Sequence, residues 1–297
     1  MGRPAGGLTS TLRKVLPTGR PAGAGQQLRS TAYSHQELLR VAIDFQAKVI
    51  FTPMNIYSTL QMGEYHLNHC EDYLFIGDIG DDKILCAVMD GCTMAIDSYF
   101  ASTLVGKLLR KIAKEKDYQE IYAGEVHDNL DSYLKSIVSE LFKELVIVRQ
   151  QLMLEQKELL TTLIILLLDK KSRQGIVLAV GDGLVSINGE ITDFDQENKP
   201  DYLGFHLNED FETWYANQTQ KILFEEAQDI SIATDGIFTF TPVKKANMND
   251  SINSIDYLLK NTENAENQEM LSLKLKKLER DFGLKPTDDL AIIRLIF

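Results

Sequence analysis

Three apolar runs in this sequence end in the same dipeptide. ILCAVMDG reaches Asp90-Gly91, IVLAVGDG reaches Asp182-Gly183 and ISIATDG reaches Asp235-Gly236, while an acidic pair, Asp288-Asp289, stands immediately before the apolar run Leu290 to Phe297. A single Asp-Gly more often makes a hairpin turn, because glycine takes positive φ and aspartate bonds its own backbone. Repeated at the ends of several strand-like runs, the dipeptide can instead bring carboxylates to one edge of a sheet, where rigid elements aim them at a shared cation. Such oxygen-rich surroundings suit Mg2+ or Mn2+ better than zinc, and the whole chain has only five histidines. Gly91, without a side chain, would leave its carbonyl open as a further oxygen ligand.

Composition narrows the function classes. The 297 residues are 44% hydrophobic and 25% charged, enough for a large core. Lys and Arg total 31 against 43 Asp and Glu, and the net charge of -12 argues against a nucleic-acid partner held by counterion release. Cys70, Cys86 and Cys92 form neither a CxxC pair nor an even set, so neither a disulfide framework nor a structural zinc site is expected. Leu163 to Leu168 is the longest apolar run and is too short to span a bilayer. A soluble cytoplasmic protein without a membrane partner is the expectation.

The carboxylates need elements to hold them. Residues 1–30 are rich in Gly, Pro, Arg and Ser and read as a disordered tail; they lack both the stripe of a transit peptide and the apolar core of a secretory signal. Ser34 and Glu37 make a capping-box pattern for a short helical lead-in over 31–47. The remaining 48–297 reads as one domain. Strand patterns cover Val49 and Phe51, Ile56 to Leu60, Tyr73 to Ile76, Ile84 to Met89, Thr161 to Leu168, Gly175 to Val180, Ile222 to Phe224, Ile230 to Ala233 and Leu290 to Phe297. Ile96, Phe100, Leu104, Leu108 and Ile112 fall four apart, one face of a helix, and a second long helix is expected over about 125–158. Asp193 to Asp210 reads as loop. The polar stretch Lys244 to Leu284 should turn helical in its second half, packing Leu271, Leu273, Leu275 and Leu278 on the domain. This order is α+β and layered rather than doubly wound.

CEDY at 70–73, VMDG at 88–91, TTL at 161–163, VGDG at 180–183, ATDG at 233–236 and TDDLAII at 287–293 together resemble the motif series of PP2C-type (PPM) protein phosphatases, bacterial-type members included. The resemblance extends over Ile56 to Phe297. It implies a four-layer αββα sandwich of two mainly antiparallel sheets flanked by helices, with a variable flap at about 241–287 that influences substrate choice. It further implies hydrolysis of phosphomonoesters, phosphoserine and phosphothreonine in proteins, by a water activated between two Mg2+ or Mn2+ ions, without a covalent intermediate. In that scheme Asp90 bridges the ions, Asp235 and Asp288 complete one site, and Glu71 and the Gly91 carbonyl serve the other. Asp72 and Asp289 support them, and Asp182 matches the position of a third, weaker ion.

Two positions depart from the family pattern. Cys92 stands where a histidine often follows the Asp-Gly, and Leu67 where an arginine clamps phosphate. His66 and His69 are the substitute candidates for binding phosphate or donating a proton. The same departures motivate the alternative, a catalytically weak or inactive regulatory module that binds a phosphoprotein without turnover. Sequence leaves the oligomeric state open.

Overall fold

Apolar runs without polar alternation are unusual in antiparallel strands, and here both faces of the strands are covered. The computed structural model describes residues 54–80, 82–123, 129–195, 201–242 and 252–297. The tail, the helical lead-in, Val49 and Phe51, and part of the flap lie outside the described residues.

In chain order the elements are β1 (Asn55–Gln61), β2 (Tyr73–Ile79), β3 (Lys83–Met89), α1 (Ser98–Ala123), α2 (Leu130–Leu152), β4 (Leu163–Asp169), β5 (Gly175–Val180), β6 (Gly183–Ile187) and β7 (Glu190–Phe194). They continue with α3 (Phe211–Ala216), β8 (Lys221–Phe224), β9 (Asp229–Ala233), β10 (Phe240–Pro242), α4 (Ser254–Leu259), α5 (Met270–Phe282), β11 (Leu284–Pro286) and β12 (Leu290–Ile296). One five-stranded sheet runs β1-β12-β9-β6-β7 and a second runs β2-β3-β4-β5-β8, with every pairing antiparallel. A two-stranded ribbon pairs β10 with β11.

Strand alternation assigns each residue to a layer. Leu85, Ala87 and Met89 of β3 pack with α1 and α2, while Ile84, Cys86 and Val88 face the other sheet. In β12 the middle layer takes Ala291, Ile293 and Leu295, and Leu290 and Ile292 pack with α4 and α5. The result is an αββα sandwich. Among the described residues no helix is long and apolar enough to cross a membrane.

Helix boundaries follow local chemistry. Asn129 caps α2 by accepting from Ser132 N, with the reciprocal bond from Asn129 N to the Ser132 hydroxyl. Ile96 lies outside α1 and is exposed, contrary to the four-residue spacing; the buried stripe of α1 is Ala101, Val105, Leu108, Leu109 and Ile112. The stripe of α5 holds Leu271, Leu275 and Leu278 as expected, but Leu273 is only partly buried and Lys274 takes a core place. Its ammonium donates to the Tyr257 and Asn261 carbonyls, and burial first, then Arg294, lowers its pKa to about 8. The fully buried Arg294 of β12 donates to the Asp229 carboxylate at 3.0 and 2.6 Å and to the Leu258 and Asn261 carbonyls at 2.9 and 2.7 Å. Lys274 thus joins α5 to α4, and Arg294 ties the α4 end to the sheet.

Candidate active site

Strand register decides which chain segments share an edge. Tyr73 pairs with Met89, Val88 with Ile164, Leu163 with Val180, Leu184 with Ala233, Ala233 with Ile292, and Leu290 with Gln61. The ends of β3, β5 and β9 and the starts of β2, β4 and β12 therefore lie at one end of the sandwich. None of the three Asp-Gly dipeptides joins paired strands: β3 leads to α1, β5 leads to β6 in the other sheet, and β9 leads to a helical turn at Asp235–Phe238. The hairpin reading fails on topology.

The acidic side chains at this end fall into two sets. Glu71, Asp90, Asp182, Asp235 and Asp288 keep partial exposure, whereas Asp72 and Asp289 are buried behind them. The partly exposed set is what a ligand entering from solvent can reach. The buried pair holds backbone and neighbours in place. Asp289 accepts from Gly63 N at 2.7 Å and from Glu71 N, and its Oδ2 lies 3.0 Å from His66 Nδ1. Asp72 accepts from the Thr234 hydroxyl at 2.6 Å, and that hydroxyl in turn accepts from Ala291 N at 2.9 Å.

Asp90 is fixed through its backbone by two threonines. Thr161 Oγ1 donates to Asp90 O at 2.7 Å, Thr162 N donates to the same oxygen at 2.8 Å, and Asp90 N donates to Thr162 Oγ1 at 3.0 Å. Gly91 donates its N–H to Glu71 O at 3.2 Å, and a Cβ there would stand 2.0 Å from Ser98 O, so glycine is required by close packing rather than by φ. Glu71 accepts from Ser98 Oγ at 2.6 Å and Thr93 Oγ1 at 2.9 Å. No sequence pattern marks the hydroxyls of Thr93 and Ser98, and only the TTL and ATDG motifs point to those of Thr161, Thr162 and Thr234.

Crowding shows in the protonation energetics. Burial first, then the charges of Asp72, Asp235 and Asp288, holds the Asp90 carboxyl well above the usual range. Asp72 is raised by burial, partly offset by the Thr234 hydroxyl and raised further by the charges of Asp235 and Asp289. Burial, then Asp182 and Asp288, pushes Asp235 up to about 7. Asp182 is raised by burial first and by Asp195, Asp193 and Asp288.

The donor set fits a hard cation. Asp72 Oδ1 and Asp182 Oδ1 are buried and accept no hydrogen bond among the described residues, and the mutual repulsion of the aspartates is what divalent charge would relieve. Among the described residues, no three His, Cys, Asp or Glu side chains are arranged to hold a single ion. Their oxygens are turned to protein donors: Glu71 to two hydroxyls, Asp289 to amides, and Asp288 to His66 Nε2 at 3.3 Å.

The two histidines separate. His66 lies among Asp288, Asp289 and Glu71, whereas His69 packs its ring on Tyr99 with centroids 4.4 Å apart. Leu67 is exposed and offers no charge to a phosphate. Cys92 is buried; its N–H donates to Leu160 O, and the Tyr202 phenol is raised by burial first and then by its neighbour Cys92.

Tyr202 belongs to a loop braced by His206, whose Nε2 lies 2.8 Å from both Asp201 oxygens and whose Nδ1 lies 2.8 Å from Glu209 Oε1. The Asp201 bond is the main cause of a raised pKa, opposed by burial and aided by Glu209. A raised folded-state value means this contribution is complete below the unfolded pKa of about 6.5 and is lost as pH rises through the folded one. The melting-temperature difference between wild type and His206→Gln is expected to be largest at about pH 6 and to shrink steadily toward about pH 9. A difference independent of pH would show that the ion pairs contribute nothing.

The fold and site together define a four-layer sandwich with a carboxylate cluster at one end of its two sheets. A family model described as protein phosphatase 2C matches residues 63–278, and the chain belongs to that family. Among solved structures, a bacterial serine phosphatase aligns with TM-score 0.51 at 12% identity over 82% of this chain and 98% of that one. A point-mutated form of bacterial serine phosphatase aligns with TM-score 0.55 at 14% identity over 83% and 99%. These two show the shared fold. The SpoIIE phosphatase domain with a regulatory fragment, from Bacillus subtilis, aligns with TM-score 0.49 at 15% identity over 82% of this chain; the chain spans 63% of that one. Comparison with curated proteins finds no match.

Proposed function

We propose that this chain is a cytoplasmic protein serine/threonine phosphatase that depends on two Mg2+ or Mn2+ ions. The observation that carries the reading is the convergence of Asp90, Asp235 and Asp288, with Glu71, from four separated stretches onto one partly exposed edge. Asp90, Asp235 and Asp288 would hold one ion, Asp90, Glu71 and the Gly91 carbonyl the other, and Asp182 a third. When bound, the ions supply a hydroxide equivalent at neutral pH and neutralise phosphoryl charge.

The chain's own groups do the rest. Thr161 and Thr162 keep the Asp90 backbone from shifting, and Asp289 sets Glu71 and orients His66 through Nδ1. With Cys92 buried against Tyr202, His66 Nε2 becomes the group that gives a proton to the departing alkoxide oxygen. Leu67, exposed and uncharged, would not hold the phosphate, so its orientation would fall to the groups at the carboxylate edge.

Hydrolysis of p-nitrophenyl phosphate and a phosphoserine peptide, measured with Mn2+ and after chelation by EDTA, tests this. Turnover of both substrates with Mn2+, and its disappearance with EDTA, is the expected result. Turnover unaffected by chelation would remove the metal requirement. Peptide binding with no turnover would favour the regulatory module, which the exposed Leu67 and buried Cys92 otherwise support.

A further inference from the structure

Two loops meet at the edge of the carboxylate cluster. Residues 62–72 connect β1 to β2 and residues 90–97 connect β3 to α1; hydroxyls of Thr93 and Ser98 join them at the Glu71 carboxylate, and the His69 ring rests on Tyr99. The first loop is fastened beside Asp288 by Tyr65 N donating to Thr287 O at 3.1 Å. On these two loops Tyr65, Leu67, Met94 and Ile96 are 77%, 86%, 87% and 63% exposed. Single exposed apolar residues are ordinary, but four on adjoining loops beside a reaction centre mark a surface that is covered in use.

Charge narrows what covers it. Neither loop contains a Lys or Arg, and Glu64 and Asp97 are exposed among the apolar side chains. Lys285 reaches this edge already paired with Glu64 at 3.1 Å and Glu279 at 3.3 Å. A ligand with acidic residues around its phosphate would meet charge of its own sign, and free phosphate offers nothing for four apolar side chains to cover. An extended polypeptide with apolar and basic neighbours satisfies both demands.

Resting on the phosphatase reading above, the geometry points to these loops as a docking rim that selects phosphorylated serine or threonine flanked by apolar and basic residues. The rim acts through binding, so its loss raises KM for such a peptide. A small aryl phosphate has no flanking residues to lay on the exposed Leu67 and Met94 side chains, so its turnover is indifferent to them.

The test compares the full-length chain with Leu67→Ser/Met94→Ser, two exposed positions outside the carboxylate machinery. Substrates are p-nitrophenyl phosphate, a phosphoserine peptide flanked by Leu, Phe and Lys, and one of equal length flanked by Ser, Gly and Glu. Wild type should prefer the apolar peptide by about tenfold or more in kcat/KM, and the double variant should lose that preference through KM with p-nitrophenyl phosphate turnover unchanged. Equal preference in both proteins, or none in wild type, overturns the rim. Anisotropy of the fluorescent apolar peptide is read alongside: with no turnover of any substrate the phosphatase reading fails, yet weaker peptide binding by the double variant still supports the rim and equal binding still refutes it. Sedimentation and flotation with anionic vesicles complete the set. Self-association or vesicle binding abolished by the double variant, without a peptide preference, would assign the surface to another occupant and overturn the proposal.

Discussion

Asp90→Asn is expected to lower kcat/KM on p-nitrophenyl phosphate with saturating Mn2+ by at least about a thousandfold, while the metal-free protein melts at the same temperature or higher. The two halves have one cause. Asp90 is held on both sides of its peptide by Thr161 and Thr162, so its side chain has little freedom to find an alternative role. Its carboxyl is disfavoured as an anion by burial and by Asp72, Asp235 and Asp288, a cost the fold bears where nothing cationic offsets it. An amide removes that cost and also removes the carboxylate that would serve both proposed ion positions. A residue kept for packing would show the reverse, intact activity with lost stability. Kinetics and calorimetry on the same preparations decide it.

The second large effect is on stability. Asp289→Ala is expected to cost about 2–5 kcal/mol in chemical denaturation, since it strands the N–H groups of Gly63 and Glu71 at a buried place. Glu71 then loses the restraint on its backbone and His66 its partner at Nδ1, so turnover should fall as well. Asp289→Asn retains one acceptor oxygen and should lose less. A change within about 0.5 kcal/mol for the alanine variant would mean that these amides find other partners.

Much of this arrangement is legible in the sequence because of burial. Strands β3, β4, β5 and β12 have both faces covered, so their apolar runs stand out without alternation, and each meets a carboxylate or threonine pair at its end. What pattern reading missed has identifiable physics. The β6–β7 hairpin lies in a stretch whose β7 strand is mostly exposed, yet Asn188 and Gly189 at φ 53° and 85° form the positive-φ turn that asparagine and glycine favour. Helix α3 has six residues, too short to display a period; its place depends on Trp214 and Tyr215 packing and on the Asp210 cap. Lys274 carries every sequence sign of a surface residue and is buried because two carbonyls and the neighbouring layer receive it. The hydroxyls around Glu71 and Asp90 are long-range partners of common residue types, and periodicity carries no information about them.

Removing metal from the purified chain and titrating Mn2+ into it by calorimetry, beside Asp90→Asn, tests the central claim most directly. The account predicts two bound ions in the wild type and a loss of binding at both positions in the variant, because the same carboxylate serves each. A folded wild-type protein that takes up no Mn2+ through the millimolar range, or a variant that binds as well as its parent, would contradict it.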